Sequence, residues 1–247
     1  FFKIPKPKYN IKASSSTYGG FFSKTIKSIE KVLYKEKPNY LIVQGDTNTA
    51  LAGCFAASVY NRKQNKKINI VHIEAGLRSF DNNMPEEINR KLIDQMSNIL
   101  FVPTKFDLEN LKSEDITLDK KIFITGNTIS DIVKNYLPLI KKNNILEMFQ
   151  IFKKEYFLLT LHRPESVDDV SKFKKLILNI NKIGKKFNIQ FLFPVHPRTE
   201  KIIKKIEVKQ FKNIIFSKPL NFLDFLTIMN NSKIIFTDSG GIQEESS

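Results

Sequence analysis

Eight short runs of β-branched and aromatic residues recur along this chain: YLIVQG (40–45), NIVHIE (69–74), ILFVP (99–103), KIFITG (121–126), YFLLTLH (156–162), IQFLFPVH (189–196), NIIFS (213–217) and KIIFTDSG (233–240). The segments between them space their apolar residues near 3.6 and have recognisable ends. SKTIKSIEKVLYKEK stops before Pro38, PEEINRKLIDQMS opens on Pro85, and NFLDFLTIMNN follows Pro219. Alternation of this kind folds as parallel sheets covered by helices. It lapses over roughly 135–155, where the next strand starts afresh. The expected organisation is therefore two α/β domains, 1–138 and 139–247. No strand precedes the first helix and QEESS reads as a helix's first turn, so the chain is expected to be a piece lacking an opening strand and a tail, with both domains incomplete.

Charge raises the question of a polyanionic partner, since 40 Lys and Arg against 25 Asp and Glu leave the chain at +15. Its distribution argues against nucleic acid. The lysines are scattered over helix faces and loops, and no RNA-recognition or zinc-finger signature accompanies them. No run approaches the roughly 20 apolar residues of a bilayer span, and no secretory signal opens the chain. The expectation is a cytoplasmic protein with neither a membrane nor a nucleic-acid partner. The single cysteine, Cys54 in TALAGCFAASVY, reads as a small buried helix residue.

Ligands of open α/β sheets bind beyond the carboxyl ends of the strands, which gives weight to polar residues placed there. Asp46 follows the first run, where it either caps the next helix or serves a site. Glu74 follows the second and has no helix to cap, because the loop LRSFDNN comes next. Glu86 and Glu87 open a helix behind Pro85, where acidic residues suit the dipole, and Arg90, four residues beyond Glu86, is spaced to form a salt bridge with it. His162 and Arg163 stand in a strand-to-loop turn, either meeting a phosphate or, for the histidine, simply packing. Asp238, Ser239, Gly240 and Gly241 follow the last strand, where free N–H groups and a hydroxyl suit a phosphate. Glu245, one turn later, is either a surface residue or an acceptor for a ribose hydroxyl. His72, inside its strand, is expected to pack or bond within the fold, and His196 in PVHPR has a weak case. No GxGxxG, GxxxxGK, HExxH or CxxC occurs, so neither a dinucleotide cofactor nor a zinc site is expected.

Taken in order and spacing, VQGDTNTALAG, HIEAGLRSFDNNMPEEINR, FVPT, ITGNTISDIV, LTLHRPES and TDSGGIQEE resemble the non-hydrolysing UDP-N-acetylglucosamine 2-epimerase family over nearly the whole chain. The resemblance implies two Rossmann-like domains of the glycosyltransferase-B type facing a cleft, a UDP-sugar substrate, a homodimer, and no metal or redox cofactor. It implies catalytic roles for Asp46, Glu74, Glu86, Arg90 and His162. Substrate binding falls to Ser239, Gly240, Glu245, Arg163 and Phe225, the last lining the uracil. Leu220 stands where many bacterial members carry Gln, which shifts uracil recognition toward backbone groups. Three alternatives share these motifs or this fold: a hydrolysing 2-epimerase, a 2-epimerase of UDP-2,3-diacetamido-glucuronic acid, and a glycosyltransferase. Because parts of the site are expected to be missing, a purified chain of these 247 residues is predicted to be inactive alone. Measurable epimerisation by it would refute that.

Overall fold

A computed structural model describes residues 4–65 and 67–245, in two compact units, Phe1–Asn127 and Thr128–Ser247. In the first unit the strands β1 (Tyr40–Gln44), β2 (Asn69–Ile73), β3 (Ile99–Val102) and β4 (Lys121–Ile124) form a parallel sheet in that order. The helices α1 (Tyr18–Glu36), α2 (Asn48–Lys63), α3 (Pro85–Met96) and α4 (Lys105–Ser113) alternate with them. The second unit carries α5 (Thr128–Ile140), α6 (Ile145–Met148), α7 (Pro164–Val167), α8 (Val170–Phe187), α9 (Pro197–Ile203), α10 (Phe222–Asn231) and α11 (Gly240–Glu245). Its strands are β5 (Tyr156–Thr160), β6 (Gln190–Pro194), β7 (Ile214–Ser217) and β8 (Ile234–Thr237), all parallel in the order β7-β6-β5-β8. All eight strands expected from the sequence are present. Among the described residues no helix is long and apolar enough to cross a membrane.

Local chemistry sets the helix ends. Thr17, Thr47, Asp169 and Asn221 each accept a backbone N–H in the first turn of the following helix, and Thr104 forms a reciprocal capping box with Asp107. Helix α1 stops at Lys37, whose left-handed backbone returns its N–H to Leu33 O just before Pro38. Helix α2 is lined with small residues, and Ala52, Cys54, Ala56 and Ala57 are fully buried, which brings its backbone close to its neighbours. Burial pushes the Cys54 thiol up to about 12, so it is an inert packing group, as expected.

The two sheets are buried differently. Strand β5 is buried at every position, covered on both faces, whereas β1 alternates exposed and half-buried residues. Against β5 and β6, helix α8 lays down Phe173, Ile177, Ile180 and Gly184 at spacings of four, three and four. Phe191 on β6 is fully buried, with the rings of Phe157 and Phe236 at 5.1 and 5.3 Å. Phe191→Ala is expected to destabilise the second unit by about 3–5 kcal/mol, read from urea unfolding.

Candidate active site

Strands β1 and β2 run in register, Gln44 beside Ile73, so the residues just beyond them emerge side by side. Gly45 donates its N–H to Ile73 O at 3.1 Å and turns with φ of 66°. A side chain there would be strained, and its Cβ would stand 3.4 Å from Glu74 Oε2. Glu74 also has a left-handed backbone, φ 71°, which costs a non-glycine residue about 1–2 kcal/mol. Gln44 Nε2 donates to Glu74 Oε1 at 2.6 Å. Strain of this kind collects at functional sites, where the surroundings over-determine it.

Asp46 is not the helix cap. Thr47 is, through its hydroxyl to Ala50 N at 3.2 Å, and the Asp46 carboxylate instead forms an ion pair with Arg90. Asn89 ties the same turn to α3, donating to Asp46 O at 2.8 Å and to Asn48 Oδ1 at 3.0 Å. The expected Glu86–Arg90 bridge does not form. Arg90 reaches back one turn to Glu87 Oε2 at 3.2 Å, because Glu87 and not Glu86 lies on the buried face. Glu87 is fully buried and accepts from Ser79 N, Ser79 Oγ and Phe80 N at 2.9, 3.0 and 3.3 Å. It thereby fixes the loop between β2 and α3. Glu86 is exposed in the first turn, with no hydrogen bond or ion pair to the described residues.

Beneath this layer His72 is fully buried, as expected of it, between Asp94 Oδ1 at 2.7 Å and Gly45 O at 2.9 Å. Asp94, also fully buried, uses its other oxygen for Gly76 N at 3.2 Å and Arg78 Nη1 at 2.8 Å. Arg78 continues to Glu114. Sequence reasoning assigned nothing to Asp94 or Asn89, and to Glu87 only a first-turn position that suits the helix dipole. Their signal was spacing: Glu87, Arg90 and Asp94 follow one another by three and four residues, one face of a helix turned inward.

In the second unit β5 and β8 are neighbours, Thr160 beside Thr237, with their hydroxyls 2.7 Å apart. Beyond them Asp238 accepts from His162 N at 3.0 and 3.1 Å and from Arg163 N at 3.0 Å, and its Oδ1 stands 3.2 Å from His162 Nδ1. The His162 side chain is 35% exposed and its ring lies 5.2 Å from that of His196. Ser239 accepts Ile242 N at 3.4 Å on its hydroxyl and so opens α11. A Cβ added to Gly240 would meet only Arg163 Nη2, at 4.0 Å, and one on Gly241 only Ser239 Oγ, at 3.9 Å. His162, His196, Leu220, Phe225 and Ile242 line a cavity of ≈ 210 Å³. The side chain of Glu245 lies outside the described residues.

Each unit is a parallel α/β sheet with polar groups gathered just past its strand ends, and the likeness to the solved epimerases makes this a glycosyltransferase-B type protein. The model of the UDP-N-acetylglucosamine 2-epimerase family matches residues 1–247, and the chain belongs to that family. It is 45% identical to the UDP-N-acetylglucosamine 2-epimerase of Methanocaldococcus jannaschii, over 98% of this chain and 66% of the relative. The crystal structure of the M. jannaschii enzyme in complex with UDP-GlcNAc and UDP superposes with a TM-score of 0.82 at 44% identity, again over 98% of this chain and 66% of the other. The UDP-2,3-diacetamido-2,3-dideoxy-D-glucuronate 2-epimerase of Pseudomonas aeruginosa is 36% identical over 98% of this chain and 65% of its own length. The chain thus spans just under two thirds of the length of these relatives.

The Glu87 carboxylate carries a pH signature. Burial pushes its pKa up, but the bonds from Ser79, the charge of Arg90 and the bond from Phe80 outweigh this and hold it below the ordinary value. A lowered folded-state pKa gives stability that is present above the unfolded value, about 4.3, and is lost as pH falls through the folded one. Glu87→Gln is therefore expected to destabilise the first unit by about 1–3 kcal/mol near neutral pH, with a deficit that shrinks below about pH 4, as followed by urea unfolding at the two pH values.

Proposed function

We propose that this chain carries the reacting groups of a non-hydrolysing UDP-N-acetylglucosamine 2-epimerase, which interconverts UDP-N-acetylglucosamine and UDP-N-acetylmannosamine. The observation that supports it most is the strand-end group of the first unit, where Asp46 is paired with Arg90 and Glu74 is held in a strained turn beside Gly45. Two carboxylates so placed suit proton transfer on a substrate rather than helix capping. The M. jannaschii relative, whose structure was solved with UDP-GlcNAc and UDP, supports a UDP-sugar as the substrate.

The hydrogen at C2 of an N-acetylhexosamine is not next to a carbonyl, so its removal yields no enolate. Elimination avoids this difficulty. A base takes the C2 proton while the C1–O bond to UDP breaks, giving 2-acetamidoglucal. UDP oxygen then adds back to C1, and an acid delivers a proton to the opposite face of C2. Asp46, Glu74 and Glu86 carry the proton transfers in this reading, and Arg90 orients Asp46 through their ion pair. His162, Arg163, Ser239 and Gly240 receive the departing diphosphate. In support, the space beside Gly240 and Gly241 is nearly open, a Cβ meeting only Arg163 Nη2 at 4.0 Å or Ser239 Oγ at 3.9 Å, so a ligand has room to approach the backbone there. Phe225, on the wall of the same cavity as His162, suits the uracil, and Glu245 the ribose. The working protein in this reading is a cytoplasmic homodimer.

The P. aeruginosa relative favours one second reading, in which the sugar is a 2,3-diacetamido-glucuronic acid. NMR of the full-length protein with UDP-N-acetylglucosamine in deuterated water separates the possibilities. The manno epimer, deuterated at C2 and still bearing UDP, is the expected product. Free N-acetylmannosamine would mean hydrolysis, and no turnover would direct attention to the other sugar. Glu74→Gln is expected to lower the rate at least about a hundredfold, measured with the same assay, and a near-normal rate would remove it from the proton-transfer groups.

A further inference from the structure

His72 has an acceptor against each ring nitrogen. Nε2 faces the Gly45 carbonyl at 2.9 Å, and a carbonyl oxygen only accepts. Nδ1 faces Asp94 Oδ1 at 2.7 Å, in a carboxylate whose other oxygen accepts from Gly76 N and pairs with the Arg78 guanidinium. A neutral imidazole has one N–H and leaves one of these contacts as two lone pairs facing each other. Separations of 2.7 and 2.9 Å leave no room for a water between the partners. Both contacts are satisfied when Nε2 carries a proton and a second proton lies between Nδ1 and Asp94 Oδ1, and a doubly protonated ring achieves this while leaving Asp94 the charge that pairs with Arg78.

The other charged groups of this layer are Arg78, Glu114 and Lys120. Arg78 is shared between Asp94 and Glu114, and Lys120 Nζ lies on the carbonyls of Asp94, Gln95 and Ser97 at 3.0, 2.8 and 2.6 Å, capping the end of α3. Breaking one partner out of such a buried set leaves an uncompensated charge, so the set acts as a unit. Its upper end is functional ground. The carbonyl that His72 holds belongs to Gly45, the residue before Asp46, and His72 itself stands on β2 two residues before Glu74, which begins the turn beyond that strand.

We infer that His72 is a positioning residue, an imidazolium locked between Asp94 and Gly45 O, that holds the turn on which Asp46 and Glu74 stand. The protonation state follows from the contacts alone, while the effect on catalysis rests on the epimerase reading of those two carboxylates. The experiment has two corresponding arms. Ring-nitrogen-labelled histidine in the full-length protein is recorded near neutral pH, and the signals lost in His72→Gln identify residue 72. Both nitrogens of His72 are expected to be protonated, each coupled to a proton. A ring with a single protonated nitrogen overturns the inference, whatever the variant does. In the second arm, His72→Gln that retains its far-ultraviolet circular dichroism is expected to lose roughly tenfold to a hundredfold in kcat, with KM changed less than about threefold. An unchanged kcat, or a loss confined to KM, overturns the positioning role. If the wild-type enzyme proves inactive on UDP-sugars, the spectrum still decides the protonation, and it is the epimerase reading that has failed.

Discussion

The buried carboxylate of Asp94 is the contact on which the first unit's strand ends depend. It comes from α3, yet its two oxygens reach His72 on β2, Gly76 at the following turn, and Arg78 beyond it. A charge removed from water is stable only when its hydrogen bonds are complete. Here the completion joins one helix to the strand and loop that carry Glu74. Through His72 the same carboxylate reaches Gly45, next to Asp46. The strand-end carboxylates Asp46 and Glu74 thus owe their placement to a polar layer beneath them rather than to hydrophobic packing alone.

Around this layer the roles of neighbouring acids divide by burial. Glu86 and Glu87 are adjacent in sequence, but a helix turns successive residues by about 100°, so one faces solvent and the other the interior. Glu87 is committed to the backbone of Ser79 and Phe80 and to Arg90. The Glu86 side chain is exposed, with no hydrogen bond or ion pair among the described residues. Thr47 similarly takes over the capping that Asp46 was equally suited to, leaving that carboxylate for Arg90.

Much of the architecture was legible in the sequence. Strand runs such as NIVHI and YFLLT are short and rich in β-branched and aromatic residues, and Thr, Asp and Asn announce most helix starts. The placing of polar residues after strands also located the candidate groups of both units, and the family motifs added roles to them. Partner choice was not legible. Whether Arg90 turns to residue 86 or 87, and that it also takes Asp46, depends on which face of α3 is covered and on a strand 44 residues away. Asp94 escaped notice because an acid inside a helical pattern looks like a solvated position until its neighbours are known. Asp238 stood in plain view after its strand, but its grip on the backbone of His162 and Arg163 comes from the adjacency of β5 and β8, which no local pattern encodes.

That adjacency has a bearing on how the protein is made. In the first sheet each strand pairs with the next one synthesised, so the pairings accumulate in order as the chain grows. In the second, the central strand β5 waits for β8, and the backbone of His162 is pinned by a residue 76 positions later. At ordinary rates of synthesis, about 5–20 residues per second, several seconds separate the two halves of that contact. During that interval the apolar β5 has an open edge, which makes the second unit the one more exposed to mispairing and to chaperones at birth.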